Sequence, residues 1–161
     1  MSNYYNTTRR LNEFEFVNNE GDRYLVYIGE YFLEHERATD ENDLIKVNHI
    51  GFSCRRLAIK KRYLFDHKSQ ATIKAIFLTL INERPNDAFV YLCDNSDKRE
   101  RNRRITFGRW IKESDQERQF STYNMHIKVA QFDATLILRD NNPLYHRYKS
   151  AFEFTIHKYY T

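Results

Sequence analysis

Between Tyr91 and Trp110 the chain reads YLCDNSDKRERNRRITFGRW, and this stretch constrains the fold more than any other. It begins in a short, continuous apolar run, Ala88 to Cys93 (AFVYLC). Such a run suits a strand covered on both faces, so other elements have to be built around it. Asp97 with Glu100 three residues later then makes a capping box, which opens a helix at Ser96 or Asp97. Both carboxylates also suit the positive end of a helix. The helix is expected to run to about Ile111, anchored by Phe107, Trp110 and Ile111.

Stepping back by whole turns from Phe107 and Ile111 brings Arg103, Arg104 and Glu100 near the same face, while Arg99, Arg101 and Arg109 spread over other sides. One or two arginines are therefore expected to point toward the sheet. A buried guanidinium needs a partner, because an unpaired buried charge is prohibitive. Asp94, at the end of the preceding strand, is the obvious candidate for a bidentate pair. Two readings stand. The pair locks the helix onto the sheet, or it lines a polar site made of Asp94, Asp97, Arg99, Arg103, Arg104 and Trp110.

The rest of the chain supplies the neighbours. Residues 12–17 (NEFEFV) alternate polar and apolar, the period of a half-buried strand. Asn18 to Gly21 reads as a turn into Arg23–Phe32, giving a hairpin. Glu34 to Asp43 is a polar loop, Ile45 to Arg56 a further strand, and Leu57 to Phe65 is ambiguous. A helix is expected over 69–83, with Ser69 as N-cap and Ile73, Ile76, Phe77 and Leu80 at helical spacing; Pro85 ends it. Phe120–Val129 and Phe132–Arg139 alternate again and form a second hairpin. Asn142-Pro143 signals a last helix, with Asn as N-cap, proline at the first helical position, and an apolar stripe through Leu144, Tyr148, Phe152, Ile156 and Tyr159. The order predicts an α+β fold: a mainly antiparallel, or mixed, sheet with two hairpins and about three helices packed on it. At 161 residues the chain is expected to be one domain, 1–161, with residues 1–10 a flexible N-terminus.

Charge is distributed unevenly. From Leu11 to Asp43 there are ten acids and two bases, a net of −8 in a chain whose total is +4. The basic residues gather in two groups, an acid-free one with Arg55, Arg56, Lys60, Lys61 and Arg62, and one running from Lys98 to Lys112 with Arg101 and Arg109. Such asymmetry bears on partners, not on fold. Acidic and basic segments neutralise each other within the fold or across a homodimer, or the basic groups meet an anionic partner such as RNA or DNA. No stretch resembles a secretion signal, and the longest apolar run, Ala75 to Ile81, is far shorter than a membrane span. A cytoplasmic protein with no membrane contact is expected, its two cysteines, Cys54 and Cys93, reduced.

The block Tyr91-x-Cys93-Asp94, followed by Asp97, Arg99, Arg103, Phe107 and Trp110, resembles the signature of a bacterial domain-of-unknown-function family of small, single-domain proteins. That resemblance implies no activity. It implies only that the block is a defining structural or site-forming unit.

Chemical motifs are few. The six histidines show no metal-ligand spacing and no cysteine pair is present, so no metal is expected. With four glycines there is no phosphate-binding loop and no GxSxG elbow, so no cofactor is expected. The chemical reading that remains is metal-independent RNA cleavage, with His126 moving protons and Lys128, Arg99 and Arg101 stabilising charge. Against it stands the plainer reading of His126 as a surface residue on the polar face of a strand. The expected function is a non-catalytic binding or interaction module, with nucleic-acid binding and ribonuclease-like chemistry as alternatives.

Overall fold

The computed structural model describes residues 2–57, 66–93, 108–113 and 119–161. The strands are β1 (Thr8–Arg10), β2 (Glu13–Val17), β3 (Arg23–Leu33), β4 (Ile45–Arg55), β5 (Phe89–Cys93), β6 (Phe120–Ile127) and β7 (Phe132–Arg139). The helices are α1 (His67–Asn82), α2, whose described residues are 108–113, and α3 (Tyr145–Tyr160). A 3-10 turn, Glu41–Asp43, interrupts the polar loop before β4. Among the described residues the strands form one seven-stranded sheet in the order β1-β2-β3-β4-β5-β7-β6. The pairs β1–β2, β2–β3, β5–β7 and β6–β7 are antiparallel, and β4–β5 is parallel. Parallel neighbours need a long crossover, which the segment containing α1 supplies. The fold is α+β with a mixed, mostly antiparallel sheet, as the order of elements predicts.

The chain divides into two compact units, Met1–Gly29 with Ile50–Glu83, and Glu30–His49 with Arg84–Thr161. In the first, the alternation of β2 buries Phe14 and Phe16 and leaves Glu13 and Val17 exposed. The turn into β3 is held by Asn18, whose side-chain oxygen accepts from the Glu20 and Asp22 N–H groups. Gly21 adopts φ +81°, and a Cβ there would lie 2.7 Å from Leu57, so the turn requires glycine. Helix α1 buries Ile73, Ile76, Phe77, Leu80 and Ile81. It begins two residues before the expected Ser69 cap. Asp66 caps it, accepting from the Lys68 N–H at 3.0 Å. Ser69 instead donates its hydroxyl to Asp66 at 2.6 Å, and Tyr5 adds a third donor at 3.0 Å. An aspartate caps as well as a serine, and this one gathers more donors than a hydroxyl accepts. Thr8–Arg10 form a short edge strand that no periodicity announces, and Arg9 grips Glu83 in a bidentate pair at 2.5 and 2.7 Å.

In the second unit, one apolar cluster joins Leu33, Ile45, Val47, Val90, Met125, Ile127, the even residues of β7 from Phe132 to Leu138, and Ala151, Phe152 and Ile156 of α3. Strand β5 is buried along almost its whole length, as its continuous apolar run requires. Helix α3 starts later than expected. Asn142 makes a turn by accepting from the Leu144 N–H at 2.9 Å, and the helix opens at Tyr145. Both ends of the predicted stripe face water, Leu144 at 45% and Tyr159 at 57% exposure. Tyr160, in line with Phe152 and Ile156 at four-residue steps, takes the inward place and stacks on Phe132 at 3.9 Å.

Candidate recognition surface on β6

Strands β6 and β7 each show one face to the apolar cluster and one away from it. On the away face, register aligns two rows across three strands. Cys93, Asp133 and His126 make one, and Tyr91, Thr135 and Asn124 make the other. The middle member of each row is buried and the β6 member is exposed. Asp133 and Thr135 are each 3% exposed. Asp133 Oδ1 lies 2.8 Å from His126 Nδ1, and the Thr135 hydroxyl donates to Asn124 Oδ1 at 2.7 Å. A carboxylate accepts, so the imidazole donates through Nδ1 and leaves Nε2 for a ligand. Asn124, its carbonyl occupied, keeps its amide N–H groups. Two outward side chains are thus oriented from beneath by buried partners.

The row order also limits the chemistry. Asp133 stands between Cys93 and His126, which lie two strands apart. Strands are about 4.8 Å apart, so the thiol and the imidazole are roughly 10 Å from each other at the backbone, too far for a nucleophile–base pair. Cys93 is a small core residue. The other cysteine, Cys54, is half-buried, and burial pushes its thiol up, away from the thiolate a nucleophile needs.

The first unit holds a second buried carboxylate, Asp22, at 1% exposure. Burial alone would raise its pKa. The Leu57 N–H at 3.1 Å, the Arg56 guanidinium at 2.9 Å and the Asn18 amide at 3.4 Å more than offset that, and hold it below the usual carboxylate range. Beside them the Tyr24 hydroxyl is pushed up to about 12, by burial first and by Cys54 second.

The predicted site residues separate accordingly. Asp94, Asp97, Arg99, Arg101, Arg103, Arg104, Lys60, Lys61 and Arg62 lie outside the described residues, and with them the expected Asp94–arginine pair. Trp110 is buried and Arg109 exposed on α2, so the aromatic faces inward and the cation outward. Arg55 is exposed, whereas Arg56 is engaged by Asp22. His126 is brought against Asp133, and Lys128 is exposed in the turn that follows β6. Sequence reasoning singled out His126 and missed its partner Asp133, and with it the neighbouring Asn124–Thr135 pair. The signal was in the hairpin: a four-residue connection, 128–131, sets Ile127 opposite Phe132 and therefore His126 opposite Asp133.

Several acids of the N-terminal third are matched locally. Glu15 pairs with Arg23 at 3.0 Å, Glu30 with Lys46, Asp22 with Arg56, and Glu34 with Lys158 at 2.5 Å. Lys158 and then Tyr159 hold the Glu34 carboxyl below its ordinary range. Part of the acidic excess is thus neutralised within the fold, some of it by the acid-free basic segment. Among the described residues no group of three or more His, Cys, Asp or Glu side chains is placed to hold a metal, and no helix is long and apolar enough to cross a membrane.

No curated protein and no solved structure matches the chain. A family model does. It spans residues 65–154, more than half of the chain, and takes in α1, β5, the arginine block, β6, β7 and most of α3. The chain belongs to this family, which is described as a family of unknown function (DUF6169).

Proposed function

We propose that this protein is a non-catalytic binding module, and that Asn124, His126 and Lys128 form its recognition strip for an acceptor-rich, anionic partner. The observation that carries this reading is the pair of buried groups beneath the strip, Asp133 and Thr135, each bonded to one outward side chain. Burying a carboxylate costs desolvation energy. Here that cost orients a ring at the surface. The strip offers the amide N–H groups of Asn124, the Lys128 ammonium and, once protonated, the Nε2–H of His126. Asn124 and His126 are alternate residues of a strand and so stand about 6.6 Å apart along it. An extended strand carrying phosphates, such as single-stranded RNA or DNA, presents acceptors to such a row. Exposed Arg109 and Lys112 on α2 add positive charge to the same unit.

The test is titration of a mixed pool of fluorescent RNA and DNA at about 50 and 200 mM salt, where counterion release makes phosphate contacts strongly salt-dependent. Tight association at the lower salt that weakens steeply at the higher supports the reading. No association at the lower salt sinks the nucleic-acid form of it and leaves an acidic protein segment as the partner to try.

One observation favours a second, chemical reading. An imidazole held through Nδ1 by a buried carboxylate is placed as general bases are. In RNA cleavage Nε2 would take the 2′-hydroxyl proton as that oxygen attacks phosphorus, and return it to the departing 5′ oxygen. Metal-free RNA cleavage by the purified protein that disappears in His126→Ala would establish this reading; intact RNA after prolonged incubation would remove it.

A further inference from the structure

Strand β6 stands at one end of the strand order and, among the described strands, is hydrogen-bonded only to β7. Its outer edge is unlike that of β1 at the other end. Strand β1 is three residues long and carries Arg9 and Arg10, the short and charged form that discourages edge-to-edge pairing. Strand β6 is eight residues, FSTYNMHI, with no Asp, Glu, Lys, Arg, Gly or Pro. A long, neutral edge rich in aromatic and β-branched residues is a template for another strand.

What would cover it is indicated by the side chains around Tyr123, at the middle of β6 on the face packed by α3. Lys149 places its ammonium 4.5 Å from the Tyr123 ring, and the Glu153 carboxylate, one turn further along α3, helps push the Tyr123 hydroxyl above its ordinary range. A base and an acid one helical turn apart thus flank the centre of the edge. A two-fold axis through that centre exchanges them.

We infer that the outer edge of β6 pairs antiparallel with β6 of a second copy, about a two-fold axis at Tyr123, with Lys149 of each copy meeting Glu153 of the other. Pairing centred there keeps side chains on matching faces. Tyr123 lies opposite its own copy, Thr122 opposite Asn124, Ser121 opposite Met125 and Phe120 opposite His126. No like charges meet along the strand, so neutral cross-strand pairs and two symmetric ion pairs favour the dimer. The face bearing Asn124 and His126 stays open on the opposite side of the sheet. The two strips then run on from one another, so that one extended ligand meets both copies. The dimer does not depend on the strip being the binding surface.

Sedimentation velocity from low micromolar to near-millimolar protein tests this. Wild type is expected to be a concentration-dependent dimer. Lys149→Glu or Glu153→Lys alone turns both attractive contacts repulsive and should raise the dimer dissociation constant about tenfold. The double reversal, Lys149→Glu with Glu153→Lys, restores opposite signs and should return the constant to within a few-fold of wild type. Circular dichroism confirms that each variant is folded. A wild type that stays monomeric at the highest concentration overturns the proposal. So does a dimer indifferent to both single reversals, or one that the double reversal does not rescue. Nucleic-acid titration of the same variants reads the strip separately.

Discussion

Asp22 and Asp133 are both carboxylates taken almost wholly out of water, at 1% and 3% exposure, and they serve different ends. Asp22 closes on the fold itself. It accepts from a backbone N–H, a guanidinium and an amide, and it fixes the end of β4 to the β2–β3 turn. Asp133 reaches toward the surface: one of its partners is an imidazole whose side chain is 41% exposed. One buried charge is a lock between chain segments. The other is a support for a group that meets solvent. The difference teaches how to read a buried carboxylate: exposure of the carboxylate says little, and exposure of its partner says what the burial is for.

Substitutions can break or sharpen that contrast. The largest effect is expected at Asp22. Replacing it with Ala removes the acceptor that the Leu57 N–H and the Arg56 guanidinium share, and should lower unfolding free energy by about 3 kcal/mol, read by urea denaturation. A loss below about 1 kcal/mol would mean that Asp22 is no lock, since surface substitutions without such a role usually fall in that range. At Asp133 the conservative change to Asn is expected to cost less, on the order of 1–2 kcal/mol, because a hydrogen bond to an exposed ring is easily replaced by water. Its sharper mark is a moved His126: the ring's NMR chemical shifts should change in Asp133→Asn and stay as in wild type in Asp22→Asn.

The pH response separates the two further. The folded pKa of Asp22 is depressed, so its contribution is present above its unfolded value, about 3.9, and is lost as pH falls through the folded one. Acid unfolding should therefore be shallower below about pH 4 in Asp22→Asn than in wild type; identical slopes would contradict the depressed pKa. The smallest effect belongs to His126→Ala. As an exposed side chain it should shift stability by no more than about 0.5 kcal/mol.

Much of this fold is legible in the sequence where a period is short and uninterrupted. The alternation of Glu13–Val17 fixes both faces of β2, that of residues 124–127 fixes the end of β6, and the run Phe89–Cys93 announces its own burial. The alternation expected over Phe132–Arg139 does not carry into burial, because β7 lies inside the sheet and is covered on both faces. What escapes is set by groups far apart in the chain. Thr8–Arg10 become a strand because β2 offers them an edge, and Asp66 outcompetes Ser69 as a cap because Tyr5 joins it from the N-terminus. The Asp22–Arg56 lock spans 34 positions and has no local signature. The His126–Asp133 pair is an intermediate case. It is legible once the register of the hairpin is counted, but alternation alone marks Asp133 only as the polar member of an otherwise apolar strand. The charge asymmetry is visible in composition, while its partial resolution into pairs such as Glu30–Lys46 and Glu34–Lys158 is visible only in the fold.

Whether Asp133 holds His126 for a ligand or for stability is tested most directly by His126→Ala, with melting and nucleic-acid binding measured on the same sample. The prediction is a melting temperature within a few degrees of wild type together with a marked loss of binding at low salt. A large melting shift, or binding that survives unchanged, would contradict it and make the pair a structural one like Asp22.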